Sequence, residues 1–276
     1  GEVFVTDDGE ECDMDIGNYE RFLNQDIPKS HNITTAQIYS SVIESERKGE
    51  YLGACVQIIP HVTDEIKNRI KKIATDEELE ILVVECGGTV GDIESLPFLE
   101  ALRQIRVEEG SENVIFVHVT LAPSLEVVGE QKTKPTQHSV QELRRIGIQP
   151  DLLCVRCSMP LQDKTRNKIS MFTNVTNNDV LSCHDVDSIF QVPEILYEQG
   201  LVDVIFKKFN KIGYVNASQN WDTWNKIVNS LQNEGDPINI AMVGKYVTLA
   251  DSYVSVNHAL KHAAAAIGKN ITIDWI

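Results

Sequence analysis

The chemistry-bearing residues of the chain gather most densely at Lys132, Thr133, Lys134, Pro135, Thr136 and Gln137. Two ammonium groups and two hydroxyls there precede a helix whose first turn carries proline. Backbone N–H groups at a helix start and the positive end of its dipole favour phosphate. Lysines add charge-assisted bonds roughly twice as strong as neutral ones. In a chain of net charge −16, such a concentration of donors reads as an anion site rather than a basic surface loop.

Carboxylates supply the complementary chemistry. Glu85 closes the apolar run LEILVVE and is followed by the glycine turn CGGTVG. A carboxylate at the C-terminal edge of a parallel sheet can hold the Mg²⁺ of a nucleoside triphosphate, although a buried strand with a surface acid has the same pattern. Asp13 and Asp15 stand two apart in ECDMDIG, so in an extended segment both face one side, as a hard-cation pair or as part of a solvated acidic loop. Asp92 and Glu94 follow the glycine turn, where acids accept bonds from ribose hydroxyls or cap the following helix. Asp7 and Asp8 before Gly9 read as a turn.

Other chemistries find no support. No HExxH pair occurs, and His258 and His262 only share a helix face, so zinc is not indicated. No GxSxG elbow and no GxxxxGK[ST] loop is present. The six cysteines lack a framework spacing and read as free thiols. The one CxxC, Cys154 and Cys157, has no second pair to complete a zinc site.

The elements that must position these residues alternate between short β-branched runs and segments of helical period. Strands are predicted over 2–6, 79–85, 113–121, 151–157, 179–183, 238–243 and 271–276, and helices over 61–74, 96–108, 135–146, 221–231 and 252–267. The helix over 61–74 sets Ile66, Ile70 and Ile73 opposite Lys67, Lys71 and Lys72. The next stacks Phe98, Leu102 and Ile105 before Gly110, and the third buries Val140, Leu143 and Ile146. The expected fold is α/β, a parallel sheet with helices on both faces. Residues 1–210 form its main domain, residues 211–236 a linker and residues 237–276 the start of a second α/β domain cut short. Glu2 to Thr6 reads as a strand entered from something earlier, so the parent chain is expected to extend past both ends.

The acidic pI of about 4.8 argues against a nucleic-acid or anionic-membrane surface, because both need a cationic face. No apolar run reaches the roughly 20 residues that cross a bilayer, and the expectation is a soluble, cytoplasmic protein.

Taken together, GEVFVTDDG, DMDIGNYERF, GGTVGDIESLPF, GEQKTKPTQHSV and HDVDSIF resemble the CTP synthase family, in the same order over nearly all of residues 1–209. The resemblance implies an amidoligase domain of P-loop type, whose P-loop would precede Gly1. A class I glutamine amidotransferase domain would follow, to whose opening VGKY, Asp251, Tyr253, Ser255 and ALKH are similar. It implies amination of UTP to CTP with ATP and glutamine-derived ammonia, with Asp15 and Glu85 on Mg²⁺ and ATP, and His184, Asp185 and Val186 beside the adenine. Gln57, Asp92, Ile93, Glu94, Lys132, Thr133, Lys134, Pro135, Thr136, Gln137 and Lys168 would contact UTP or inhibitory CTP, with Lys132 and Lys134 in the catalytic role. GTP as activator, CTP as feedback inhibitor, a homotetramer and filaments follow from the same resemblance. The rival reading is a catalytically incomplete homologue that binds nucleotide as a regulatory or filament-forming subunit.

Overall fold

The computed structural model describes residues 3–125, 129–210, 218–232, 235–248 and 250–276. Two compact units emerge, one joining residues 1–34 to 216–276 and the other spanning 35–215.

The first unit opens with β1 (Val3–Val5) and β2 (Glu11–Asp13), paired antiparallel, then α1 (Met14–Leu23). Asp7 to Gly9 make the expected turn. Gly9 donates its N–H to Thr6 O, and Asp8 accepts from the Thr6 hydroxyl at 2.6 Å and from Lys29 N at 3.2 Å. The Thr6 bond is the main cause holding the Asp8 carboxyl below its usual range. Gly17 lets α1 lie close on β1, because a Cβ there would stand 2.7 Å from the Phe4 ring.

The second unit begins with three helices, α2 (Thr35–Arg47), α3 (Thr63–Asp76) and α4 (Leu96–Glu109), the last stopped by Gly110 at φ +91°. On α3 the predicted stripe holds, with Ile66 and Ile70 buried, but Lys67 is also buried rather than on the solvent face. Its ammonium is satisfied by Glu108 of α4 at 2.5 Å and Asp64 at 2.9 Å, which is what makes burial of a lysine tolerable. On α4 the buried positions are Leu99 and Ala101 instead of the predicted Phe98, Leu102 and Ile105. Leu99 packs against Leu143 and Ile148, while Phe98, Leu102 and Ile105 are half-buried.

The central sheet is built from β3 (Val117–Leu121), then, after the short antiparallel pair β4 (Ser124–Leu125) and β5 (Glu130–Gln131) and helix α5 (Lys134–Arg145), from β6 (Leu152–Cys157). Helix α6 (Asp163–Thr173), β7 (Val180–His184), α7 (Val192–Glu198) and α8 (Leu201–Lys208) follow. The strands run parallel in the order β3-β6-β7, with Val117 opposite Leu152 and Leu153 opposite Val180. Alternation along β6 sends Leu153, Val155 and Cys157 to one face, against Val140 of α5 and Ile169 of α6. It sends Leu152 and Cys154 to the other, against Leu196, Leu201 and Val204 of α7 and α8. Helices therefore cover both faces, as the expected fold requires. Cys154 and Cys157 also point to opposite faces, so the CxxC does not form a chelate, and all six cysteines are free.

One predicted strand is not realised. Residues 79–85 carry no ladder partner among the described residues, and Ile81 and Val83 stand 71% and 87% exposed. The residue types suit a strand, but a strand exists only against a neighbour. β3 likewise pairs on one side alone among the described residues, and starts at Val117 rather than 113.

The chain then returns to the first unit with α9 (Ser218–Leu231), β8 (Pro237–Met242), α10 (Val254–Ala266) and β9 (Asn270–Trp275). β8 and β9 pair parallel, giving the predicted βαβ within a residue or two, and Trp224 of α9 lies 5.8 Å from Phe22 of α1. Residues 211–217 and 233–234 of the expected linker fall outside the described residues, and α9 occupies much of the rest.

A bidentate pair locks α4 to the sheet. Arg106 donates to both Asp151 oxygens, at 2.5 and 3.1 Å, and Asp151 Oδ2 also accepts the Phe116 N–H at 2.8 Å. Both side chains are largely covered, so Asp151→Ala strands a guanidinium and a backbone donor and is expected to cost about 2 kcal/mol of stability. A urea midpoint unchanged by that substitution would remove the pair as a structural lock.

Candidate anion and nucleotide site

Parallel α/β sheets bind ligands outside the carboxyl ends of their strands. Beyond β3, Lys132 N–H donates to Pro123 O at 2.8 Å. Beyond β6, the carbonyls of Met159 and Pro160 accept from Gln131 Nε2 at 3.1 and 3.0 Å. Beyond β7, Asp185 N–H donates to Cys157 O at 3.1 Å. The same edge thus gathers the 132–137 segment, the start of α6 and residues 184–186.

Helix α5 begins at Lys134, with Pro135 in its first turn, so its free N–H groups open at this edge as expected. The threonines, however, are spent partly on the loop itself. Thr136 is fully buried and its hydroxyl donates to Leu121 O at 2.9 Å, while Thr133 Oγ1 accepts from Gln137 Nε2 at 2.9 Å. Burial without these bonds would leave polar groups unsatisfied, so they clamp the segment to β3 and leave the exposed lysines to meet the ligand. Lys134 Nζ lies 5.9 Å over the Phe172 ring, and Lys132 Nζ is 2.7 Å from Glu130 Oε2. Lys168 is exposed on α6, one turn from Lys164. Charge from both α6 lysines, behind the dominant Lys132 hydrogen bond, helps hold the Glu130 carboxyl below its usual range. Lys164 escaped sequence reasoning. Its spacing of four from Lys168 was visible, but the neighbourhood of Glu130 was not.

Glu85 is exposed at the end of its extended segment. The turn that follows requires its glycines, with Gly88 at φ +89° and Gly91 at φ +108°. Burial, more than the Glu85 charge, pushes the neighbouring Cys86 thiol up to about 11, which makes it an inert packing residue. Asp92, Ile93 and Glu94 lie exposed on a short turn ahead of α4. Neither that turn nor α4 has a side-chain cap, so the helix-capping alternative for these acids is not realised.

Asp13 and Asp15 are not a pair on one extended face. Asp13 accepts the Asp15 N–H at 3.1 Å as the cap of α1, and Asp15 stands exposed in the helix's first turn, because satisfying a helix terminus outweighs continuing the strand. Asp15 belongs to the first unit and Glu85 to the second. Both are hard carboxylate oxygens, the donor type that Mg²⁺ takes. Among the described residues no group of three or more His, Cys, Asp or Glu converges as a metal cage, and an ion shared with substrate phosphates needs only one or two carboxylates.

At the end of β7, His184 Nδ1 is 3.2 Å from Ser182 Oγ, and Asp185 accepts from Arg156 at 2.7 Å, while Val186 is half-buried. Gln57 is exposed; its N–H donates to His61 Nδ1 at 3.0 Å. Under the site, His118 of β3 is buried with Nε2 2.8 Å from Ser139 Oγ, and burial lowers its pKa. Folding therefore favours the neutral ring. The resulting stability is complete above the unfolded value of about 6.5 and is lost as pH falls from there toward the folded value. The urea midpoint is expected to drop between pH 7 and pH 5, and less so in His118→Gln; equal drops in both proteins would exonerate His118.

A parallel sheet sheathed by helices, with a lysine-bearing helix start at its carboxyl edge, is an α/β fold of the class that takes anionic ligands there. The family described as CTP synthase N-terminus matches residues 1–211. Relatives named CTP synthase are 55% identical over all 276 residues in Thermococcus kodakarensis, 55% in Pyrococcus abyssi and 49% in Methanopyrus kandleri. All of this chain is matched in each case, and 51%, 50% and 51% of the respective relatives. The chain belongs to the CTP synthase family. It spans about half the length of those relatives. Among the described residues no helix is long and apolar enough to cross a membrane.

Proposed function

We propose that the protein aminates UTP to CTP, using ATP and ammonia released from glutamine. The observation that carries this reading is the pair Lys132 and Lys134 at the start of α5, on the carboxyl edge of the parallel sheet and backed by Lys168. Family membership supplies the substrate class, and the relatives' names supply the product.

The chemical difficulty is that uracil O4 leaves poorly from C4. Transfer of the ATP γ-phosphoryl to O4 makes it a phosphate, which ammonia then displaces. The exposed lysines and the N–H groups of α5 hold the UTP triphosphate, and the buried Thr133, Thr136 and Gln137 keep that segment at one geometry, so little reorganisation is needed at the moment of reaction. Asp92 and Glu94 would accept ribose hydroxyls, with Ile93 and Gln57 completing the pyrimidine-nucleotide contacts. His184, Asp185 and Val186 serve the adenine. Asp15 and Glu85 would hold Mg²⁺, which supplies neutralisation of phosphate charge when bound.

The same reading assigns residues 1–210 to the amidoligase domain and 237–276 to the beginning of the glutamine amidotransferase domain. It adds GTP as activator, CTP as feedback inhibitor, a cytoplasmic location and a homotetramer able to form filaments. The test is CTP formation by the natural protein from UTP, ATP and ammonium, which bypasses the glutaminase. Product supports the reading. Nucleotide binding without product transfers the protein to the regulatory or filament-forming role.

A further inference from the structure

We propose that Glu130 is the resident counter-ion of the anion site, holding Lys132 while no ligand is bound and yielding it to an incoming polyphosphate. The proposal rests on the reading of Lys132 as a phosphate ligand. It adds a residue that controls what that ligand must overcome.

Glu130 and Lys132 stand two apart across an extended stretch, so both side chains leave the same side, and Glu130 Oε2 lies 2.7 Å from Lys132 Nζ. Gln131 between them points the other way into the protein, where it is buried on the carbonyls of Met159 and Pro160 and accepts the Gln162 N–H at 3.0 Å. Those three bonds anchor β5 to the loop that leads into α6, while pairing with β4 sets Leu125 opposite Glu130. The carboxylate is thus presented by fixed backbone.

From α6, Lys164 and Lys168 add their charge, and together with Lys132 they draw the Glu130 carboxyl below its ordinary range. Three ammonium groups acting on one carboxylate is the field an anionic ligand would meet, with the carboxylate already in it. In a chain of net charge −16, self-pairing also keeps Lys132 from recruiting unrelated anions. The pair is exposed enough to open readily, at 41% and 63% for the two side chains, and such pairs are weak. A triphosphate offers several charges and can replace the carboxylate and engage further lysines, whereas a singly charged anion exchanges one weak partner for another. Glu130 thereby favours polyphosphates over small monoanions.

The test is calorimetric titration of the natural protein with UTP at low ionic strength, in a cycle of Glu130→Gln, Lys132→Ala and the double variant. Glu130→Gln is expected to bind UTP about three-fold more tightly, the scale of one exposed ion pair. In the Lys132→Ala background the same change is expected to gain clearly less, because the hydrogen-bonded partner is gone and only the longer-range charge of Lys164 and Lys168 remains. Glu130→Ser is expected to repeat the gain, which separates loss of the charge from any effect of the introduced amide. Unchanged or weaker UTP binding in both Glu130 variants overturns the proposal, and so does a gain of undiminished size without Lys132. If Lys132→Ala itself binds UTP normally, the reading of the anion site fails instead.

Discussion

Lys132→Ala and Lys134→Ala are each expected to weaken UTP binding by about 1 to 3 kcal/mol, the worth of a hydrogen bond to a charged group. That corresponds to roughly 5- to 150-fold in dissociation constant. The two losses should differ in character. Lys134 is the first residue of α5 and is braced over the Phe172 ring, so its ammonium is pre-positioned and its removal should sit near the upper end. Lys132 must first leave Glu130, which offsets part of what it contributes, so its removal should sit nearer the lower end. Equilibrium titration with UTP reads both. Normal affinity in both variants would move the pyrimidine nucleotide away from this helix start.

Glu85→Gln is expected to leave UTP affinity within about two-fold while depressing phosphoryl transfer by about 100-fold, near 3 kcal/mol of barrier. The amide is isosteric and neutral, so the exposed turn keeps its shape and loses only charge. Two readouts separate a metal ligand from a merely structural acid. The Mg²⁺ concentration for half-maximal rate should rise, and excess Mg²⁺ should restore part of the activity. An unaltered rate with an unaltered Mg²⁺ requirement would take Glu85 out of the metal site.

Much of this was legible in the sequence because local periodicity and burial agree there. In α5 Val140 and Leu143 are buried as their spacing requires, though Ile146 of the same stripe sits half-buried at the helix end, and the apolar run of β6 is covered on both sides as a central parallel strand must be. What the sequence hid depends on partners remote along the chain. Lys67 looks like a solvent residue until Glu108, 41 positions later, meets it. Thr136 looks like a ligand donor until Leu121 O claims its hydroxyl. Asp13 has the composition of a metal acid, but its carboxylate caps α1, a choice visible only once the strand is seen to end there. The run at 79–85 differs from its predicted strand for the opposite reason. Its residues describe a preference, and pairing is a property of two segments.

Among the described residues the run at 79–85 and one side of β3 have no strand partner, and this has a colloidal consequence. Backbone donors and acceptors beside exposed Ile81, Val83, Val117 and Val119 offer a template to any extended peptide that drifts in, including an identical molecule. What opposes stacking of like copies is their shared surplus of sixteen negative charges, whose repulsion salt screens within about 10 Å at 0.1 M. Solubility of the isolated 276-residue polypeptide should accordingly fall, not rise, as ionic strength increases.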